Sequence, residues 1–106
     1  MSVIIVISTI PKQQADRIAK KLLESRLAAC ITLIPGVISY YFWDNKLQKT
    51  NEFQMLIKSD QINQERLLNL LREIHPYELP ELLVIPIQYA DEKYNVWLKE
   101  CLTKIK

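Results

Sequence analysis

A histidine and two glutamates share one proline-braced segment, His75-Pro76-Tyr77-Glu78-Leu79-Pro80-Glu81. His75 is the only histidine in the chain, and an imidazole nitrogen is a good ligand for borderline divalent metals. Glu78 and Glu81 bracket Pro80, which should fix their separation, and paired carboxylates bind hard cations or serve acid/base chemistry. Residue type alone favours a helix-end cation for His75 and solvated surface acids for the glutamates. Glu52 is a further carboxylate near a turn, without such a brace.

The two cysteines, Cys30 and Cys101, are candidates for soft-metal or nucleophilic chemistry. Cys30 lies in an apolar run and Cys101 on the apolar face of a helical pattern, where free thiols usually pack as small hydrophobes. A nucleophilic pair of Cys30 with His75 needs an orienting third group that the sequence does not show. We therefore expect reduced, packing thiols and no disulfide framework.

A second candidate site is the turn Ser8-Thr9-Ile10-Pro11-Lys12, which leads into a helix N-terminus. Backbone N–H groups at such a place can bind an anion, although the turn contains no glycine and is neither a Walker loop nor a dinucleotide fingerprint. An alternative ligand cleft for a small anionic metabolite therefore consists of Ser8, Thr9, Lys12 and Lys58.

Composition restricts the class of protein. The chain has 106 residues, a hydrophobic fraction of 49% and a net charge of +2, which fit a single domain, residues 1–106, with a real core. Charges of both signs are mixed along the chain, which argues against a dedicated nucleic-acid or anionic-membrane binder. The apolar run after Met1 has no preceding basic segment and no cleavage site, so we expect a cytoplasmic protein.

Hydrophobic periodicity predicts alternating strands and helices. Strands are expected at Val3–Thr9, Leu27–Ile34, Val37–Trp43, Phe53–Lys58 and Leu82–Ile87. A first helix begins near Pro11 with an apolar stripe through Ile18 and Leu22. A second helix follows an N-cap at Ser59-Asp60 and stops at Pro76, and a last helix runs from Asp91 to Ile105. Pro86 cannot donate to a ladder, so its strand should lie at a sheet edge or contain a bulge.

The central strands predict a long hairpin with apolar residues on both faces. Asp44-Asn45-Lys46 can reverse the chain, because Asn tolerates the left-handed conformation of tight turns. The aromatic run Tyr40, Tyr41, Phe42 and Trp43 could stack nucleic-acid bases, but the glycine- and arginine-bearing signature of RNA-binding sheets is absent. We interpret the run as core and subunit interface, because large exposed apolar patches usually mark interfaces.

The order of elements predicts an α+β, ferredoxin-like fold. A split βαβ unit joined by a hairpin, βαββαβ plus a C-terminal helix, places both main helices on one face of an antiparallel sheet. The opposite face remains bare unless the terminal helix or another subunit covers it. The sequence therefore predicts an oligomer.

The whole chain resembles the CutA family, the divalent-cation tolerance proteins. The matching motifs are Ala28-Ala29-Cys30 with Ile34-Pro35-Gly36, the Tyr41-Phe42-Trp43 run, Gln54–Lys58, His75–Glu81 and Tyr94–Leu98. The resemblance implies ferredoxin-like, PII-like homotrimers whose long hairpins pack against neighbouring subunits. It also implies tolerance of copper and other divalent cations, a cytoplasmic location, no established enzymatic activity, and ligand sites in clefts between subunits.

Two positions differ from those of other members. Some members have a proposed copper-binding cysteine at the position of Ser8, and some have a second histidine at the position of Ile74. A hydroxyl is a far weaker ligand than a thiolate for soft copper. Of that proposed ligand set only His75 remains here.

The main hypothesis is a non-enzymatic, cytoplasmic trimer that binds a divalent metal ion, with copper as the first candidate, through His75, Glu78 and Glu81. The metal is not required for folding, and neither nucleic acid nor membrane is a partner. The alternative is a PII-like signalling trimer that binds an anionic metabolite or a partner protein at the subunit cleft. A small hydrolase such as an acylphosphatase would need a glycine-bearing phosphate loop with an arginine, which is absent.

Overall fold

The computed structural model describes residues 2–103 and contains four strands and three α-helices. The strands are β1 (Val3–Ile10), β2 (Cys30–Trp43), β3 (Lys46–Asp60) and β4 (Leu83–Pro86). The helices are α1 (Lys12–Glu24), α2 (Gln64–Ile74) and α3 (Glu92–Thr103), and a 3₁₀ turn spans Gln61–Asn63. The predicted position Ile105 of the last helix lies outside the described residues. None of the helices within residues 2–103 has the length and apolarity needed to cross a membrane.

All strand pairs are antiparallel, and the sheet order is β2-β3-β1-β4. The mixed α+β class is therefore confirmed. β4 is an edge strand, as expected for a strand that contains a proline without a backbone N–H. Pro86 lies opposite Ile4 of β1. The side chain of Asp60 accepts a hydrogen bond from the backbone N–H of Asn63, so the predicted cap forms at the 3₁₀ turn that leads into α2, whereas α2 itself begins after Asn63 without a side-chain cap.

Both α1 and α2 pack on one face of the sheet. Alternate residues of β1 turn to this side, and they share one core with the apolar stripes of the two helices. Its fully buried members are Val6, Ile10, Ala15, Ile18, Leu22, Met55, Ile57, Leu67 and Leu71. The opposite face is covered only at one end, where Leu98 and Leu102 of α3 pack against Val3 and Ala29.

The central hairpin is longer than the predicted strand segments. Leu27–Ile34 and Val37–Trp43 were expected as separate strands, but the chain stays paired with β3 through Pro35-Gly36, with a register shift between Ile34 and Val37. Gly36 adopts φ +70°, which a residue without a Cβ tolerates, so the irregularity is a bulge and not a break. Thr32 and Ile34 are exposed, because they lie on the face of the sheet that α1 and α2 do not cover.

The turn at the tip has two residues, Asp44 and Asn45, with φ 52° and 63°. Trp43 pairs with Lys46 directly across it, which is the geometry that a left-handed Asp-Asn pair favours. The hairpin's aromatic side chains remain exposed in the protomer, with Phe42 at 72% and Tyr40 at 64%. This surface is available to another subunit.

Candidate functional site

His75 is the first residue after α2, and it is buried, with 7% of its surface exposed. Pro76 prevents the helix from continuing, so the chain turns here and carries the imidazole against the end of β1. Its Nε2 lies 2.9 Å from the carbonyl oxygen of Thr9, and its Nδ1 accepts a hydrogen bond of 3.0 Å from the backbone N–H of Tyr77. This network assigns the proton to Nε2, which donates to the Thr9 carbonyl, while the Nδ1 lone pair accepts the hydrogen bond from Tyr77.

Both nitrogens of His75 are therefore occupied by the backbone. Burial lowers the pKa of His75 below its usual 6.5, against opposing effects of the Thr9 carbonyl and the negative charge of Glu52. The neutral ring thus braces the His75–Glu81 segment against β1. A metal ion could reach an imidazole lone pair only after one of these two hydrogen bonds broke.

Glu52 is a buried carboxylate, only 5% exposed, on β3 beside the bulge, where it lies opposite Val37. The hydroxyl of Tyr77 donates a hydrogen bond of 2.5 Å to its Oε2. Burial, followed by the bond to Glu52, raises the pKa of Tyr77 well above its usual 10. The rings of Tyr77 and His75 also lie 5.0 Å apart, centroid to centroid. The hairpin, β1 and the His75–Glu81 segment therefore meet at this point.

Glu81 lies close enough to Glu52 to sense its charge. Burial raises the pKa of Glu81 above its usual 4.5, and the negative charge of Glu52 raises it further. Two carboxylates that repel each other favour a proton or a cation between them. Both Glu81 and Glu78 nevertheless have exposed surface in the protomer. Within residues 2–103 no three His, Cys, Asp or Glu side chains are grouped so that they alone could hold a metal ion.

Sequence reasoning ranked Glu52 below Glu78 and Glu81, yet the structure places Glu52 at the centre of this cluster. The only local signal was a carboxylate directly before an apolar strand. Its partner Tyr77 is 25 residues away in sequence, so the pairing depends on tertiary structure.

The alternative ligand-cleft residues are not brought together within one protomer. Ser8 is completely buried on the helix-covered side of the sheet, and its hydroxyl has no hydrogen-bond partner among the described residues. Lys58 lies on the opposite side, where its Nζ donates to the hydroxyl of Thr32 and lies 3.9 Å from the sulfur of Cys30. Thr9 offers its carbonyl to His75, and Lys12 is an exposed residue at the start of α1.

The family model described as CutA1 divalent ion tolerance protein matches residues 3–101 of this chain. The Divalent-cation tolerance protein CutA of Pectobacterium atrosepticum is 48% identical over 100 residues, which cover 93% of this chain and 91% of that protein. The protein of the same name from Yersinia pestis strain Pestoides F is 42% identical over 100 residues, 93% of this chain and 84% of its own length.

Solved structures agree with the sequence relatives. CutA from Xylella fastidiosa superposes with a TM-score of 0.93 at 33% identity, covering 96% of this chain and 99% of the other. The protein described as the periplasmic divalent cation tolerance protein CutA from Archaeoglobus fulgidus gives a TM-score of 0.88 at 30% identity, with coverages of 96% and 99%. The hairpin, the sheet order and the position of the His75–Glu81 segment are thus features of a known group, and this chain belongs to the CutA1 divalent ion tolerance family.

Proposed function

We propose that this protein contributes to divalent-cation tolerance by binding a divalent metal ion through carboxylate oxygens, without enzymatic activity. The observation that carries the proposal is the buried carboxylate of Glu52, which Tyr77 holds beside the braced His75 segment, with Glu81 near enough for the two charges to interact. Burial raises the pKa of Glu81 and the charge of Glu52 raises it further, and a divalent cation between the carboxylates would offset their repulsion. The hydroxyl of Tyr77 holds the carboxylate of Glu52 in place, and His75 braces the segment that carries Glu78 and Glu81.

The proposed site is completed in a homotrimer of ferredoxin-like protomers. The described residues of one protomer offer too few grouped ligands, since divalent metals take about four to six. The exposed aromatic side chains of the hairpin and the bare part of the sheet, where Leu83 and Ile85 are 52% and 44% exposed, support association with further copies. Hairpins that cross onto neighbouring subunits would bring additional side chains or ordered water to the carboxylates.

Calorimetric titration of the reduced protein with Cu(II) and Zn(II) tests the metal site. We expect saturable binding with simple stoichiometry per subunit, weakened in Glu81→Gln and in Glu52→Gln. Glu65→Gln is the matched control, because Glu65 is an exposed glutamate on α2. If His75→Ala abolished binding while Glu81→Gln retained it, the imidazole and not the carboxylate pair would be the ligand. Light scattering on the same samples tests the trimer.

The cytoplasm is the proposed compartment. Cys30 and Cys101 are free and partly accessible, which suits a reducing environment. The Archaeoglobus relative is described as periplasmic, so compartment requires a direct test. Cell fractionation with detection of the untagged protein should place it with cytoplasmic markers, and recovery with periplasmic markers would contradict the proposal.

A further inference from the structure

A cleft of about 460 Å³ opens at the end of the protomer farthest from the hairpin turn. It lies between the C-terminal ends of α1 and α3 and the 3₁₀ turn before α2, and two arginines, Arg26 and Arg66, line it together with Asn63. A cleft of this volume suits a small molecule. None of its lining residues belongs to the cluster around Glu52 and His75.

Arg26 occupies a backbone position that normally selects glycine. It is the first residue after the C-cap of α1, with φ +64°, and its N–H donates to the carbonyl of Leu23 at 3.1 Å. A side chain with a Cβ is disfavoured in this left-handed conformation, so arginine is strained here relative to glycine. The guanidinium Nη1 donates to the carbonyl of Cys101 at 3.3 Å, which holds the side chain against α3.

Arg66 is fixed by a chain of buried polar groups. Its Nη2 donates to Oδ1 of Asn63 at 2.6 Å, and Nδ2 of Asn63 donates to Oδ1 of Asp60 at 2.8 Å. The same Asp60 oxygen accepts from the backbone N–H of Asn63, and Asp60 and Asn63 are only 3% and 7% exposed. Asp60 thus fixes the orientation of the Asn63 amide, whose oxygen accepts the hydrogen bond from the Arg66 guanidinium. An arginine held in this way loses less conformational entropy when it binds a ligand.

Within the described part of the chain, the two arginines of the cleft have no carboxylate partner. Across residues 2–103, neither Arg26 nor Arg66 lies within 4.0 Å of a carboxylate oxygen, whereas such a pair does form between Lys20 and Asp16 on the surface of α1. Asp60, which does not line the cleft, is bonded to Asn63. Each guanidinium has five N–H donors, of which one donates to Cys101 in Arg26 and one donates to Asn63 in Arg66.

We propose that this cleft binds a small organic or inorganic polyanion, whose carboxylate or phosphate groups are held by Arg26 and Arg66. Guanidinium groups match both oxyanions by paired N–H···O bonds. Two separately anchored guanidiniums at one cleft favour a ligand with two anionic groups, such as a di- or tricarboxylate or a pyrophosphate. The hydroxyl of Ser25 already donates to the carbonyl of Leu22, so recognition rests on the arginines.

Titration calorimetry of the chelator-treated, dialysed full-length protein with pyrophosphate and with citrate, at constant ionic strength, tests the site. We expect saturable binding of at least one of them, weakened about tenfold or more in Arg66→Gln and in Arg26→Gly. Arg26→Gly is informative because glycine relieves the left-handed backbone, so lost binding with an unchanged or higher Tm cannot reflect misfolding. Arg72→Gln is the matched control.

Arg72 lies on the same helix as Arg66 and makes the same kind of contact, donating to Oδ1 of Asn69 at 2.8 Å on an exposed surface. Its removal changes the net charge equally, so we expect it to leave anion binding unchanged. Absence of saturable binding of both anions overturns the proposal, and so does an equal loss in Arg72→Gln, which would indicate a diffuse charge effect. Preference for pyrophosphate or for citrate identifies the phosphate or the carboxylate as the recognised group.

Discussion

Replacement of Tyr77 by Phe isolates one hydrogen bond of the candidate metal site. The substitution removes the hydroxyl that donates to the buried carboxylate of Glu52 but keeps the aromatic ring beside His75. No other donor to Glu52 is found among the described residues, so the variant leaves a 5% exposed carboxylate without its partner. A hydrogen bond to a charged group contributes about 1.5–3 kcal/mol, and we expect a loss of about 2 kcal/mol in the free energy of unfolding.

Urea denaturation at neutral pH and fixed protein concentration measures this loss, since the stability of an oligomer depends on concentration. Tyr89→Phe is the control, because the hydroxyl of Tyr89 also donates to a carboxylate, that of Asp91 at 3.4 Å, but at a 76% exposed position. We expect the control to change stability by less than about 0.5 kcal/mol. Equal losses in the two variants, or additivity of Tyr77→Phe with Glu52→Gln, would refute the argument that burial strengthens this pair.

Three further outcomes follow from the structure. Burial depresses the pKa of His75 in the folded state, so the neutral ring contributes its full stability above the unfolded pKa of 6.5 and loses it as the pH falls through the lower, folded pKa. The decrease in Tm from about pH 7.5 to pH 5.5 should therefore be smaller in His75→Gln. Gly36→Ala should cost about 1 kcal/mol in urea denaturation, solely through its φ of +70°, since no atom lies within 4 Å of the added methyl group. Phe42→Asp on the exposed hairpin should reduce the oligomer mass in light scattering.

Local sequence patterns were sufficient to predict most elements of the fold. The apolar stripe of α1 through Ile18 and Leu22, the stop before Pro76 and the turn at Asn45 all depend on neighbouring residues, and the structure confirms them. The continuity of β2 through Pro35-Gly36 did not follow, because these residues locally indicate a break. Pairing with β3 on both sides of the bulge stabilises the longer strand, and that pairing is a non-local property.

The candidate site was predictable in its residue types but not in their roles. The sequence singled out His75 as a ligand or a helix-end cation, and the structure shows a neutral imidazole bonded to a carbonyl 66 residues away. It favoured Glu78, which is exposed, over Glu52, which is buried beside Tyr77. Burial and partners separated by long stretches of chain decide these roles, and a single sequence does not specify them.

The arrangement of soft and hard donor atoms restricts which ions the proposed metal site could hold. The hydroxyl of Ser8 is buried in the core, and the thiol of Cys30 lies beside Lys58 on the opposite face of the sheet. The carboxylates of Glu52 and Glu81 remain, and they prefer hard and borderline divalent ions over soft monovalent copper. Because the pKa of Glu81 is raised, protons compete with the metal at this pair, so affinity for Cu(II) or Zn(II) should fall more steeply with acidification than at a site with ordinary carboxylates.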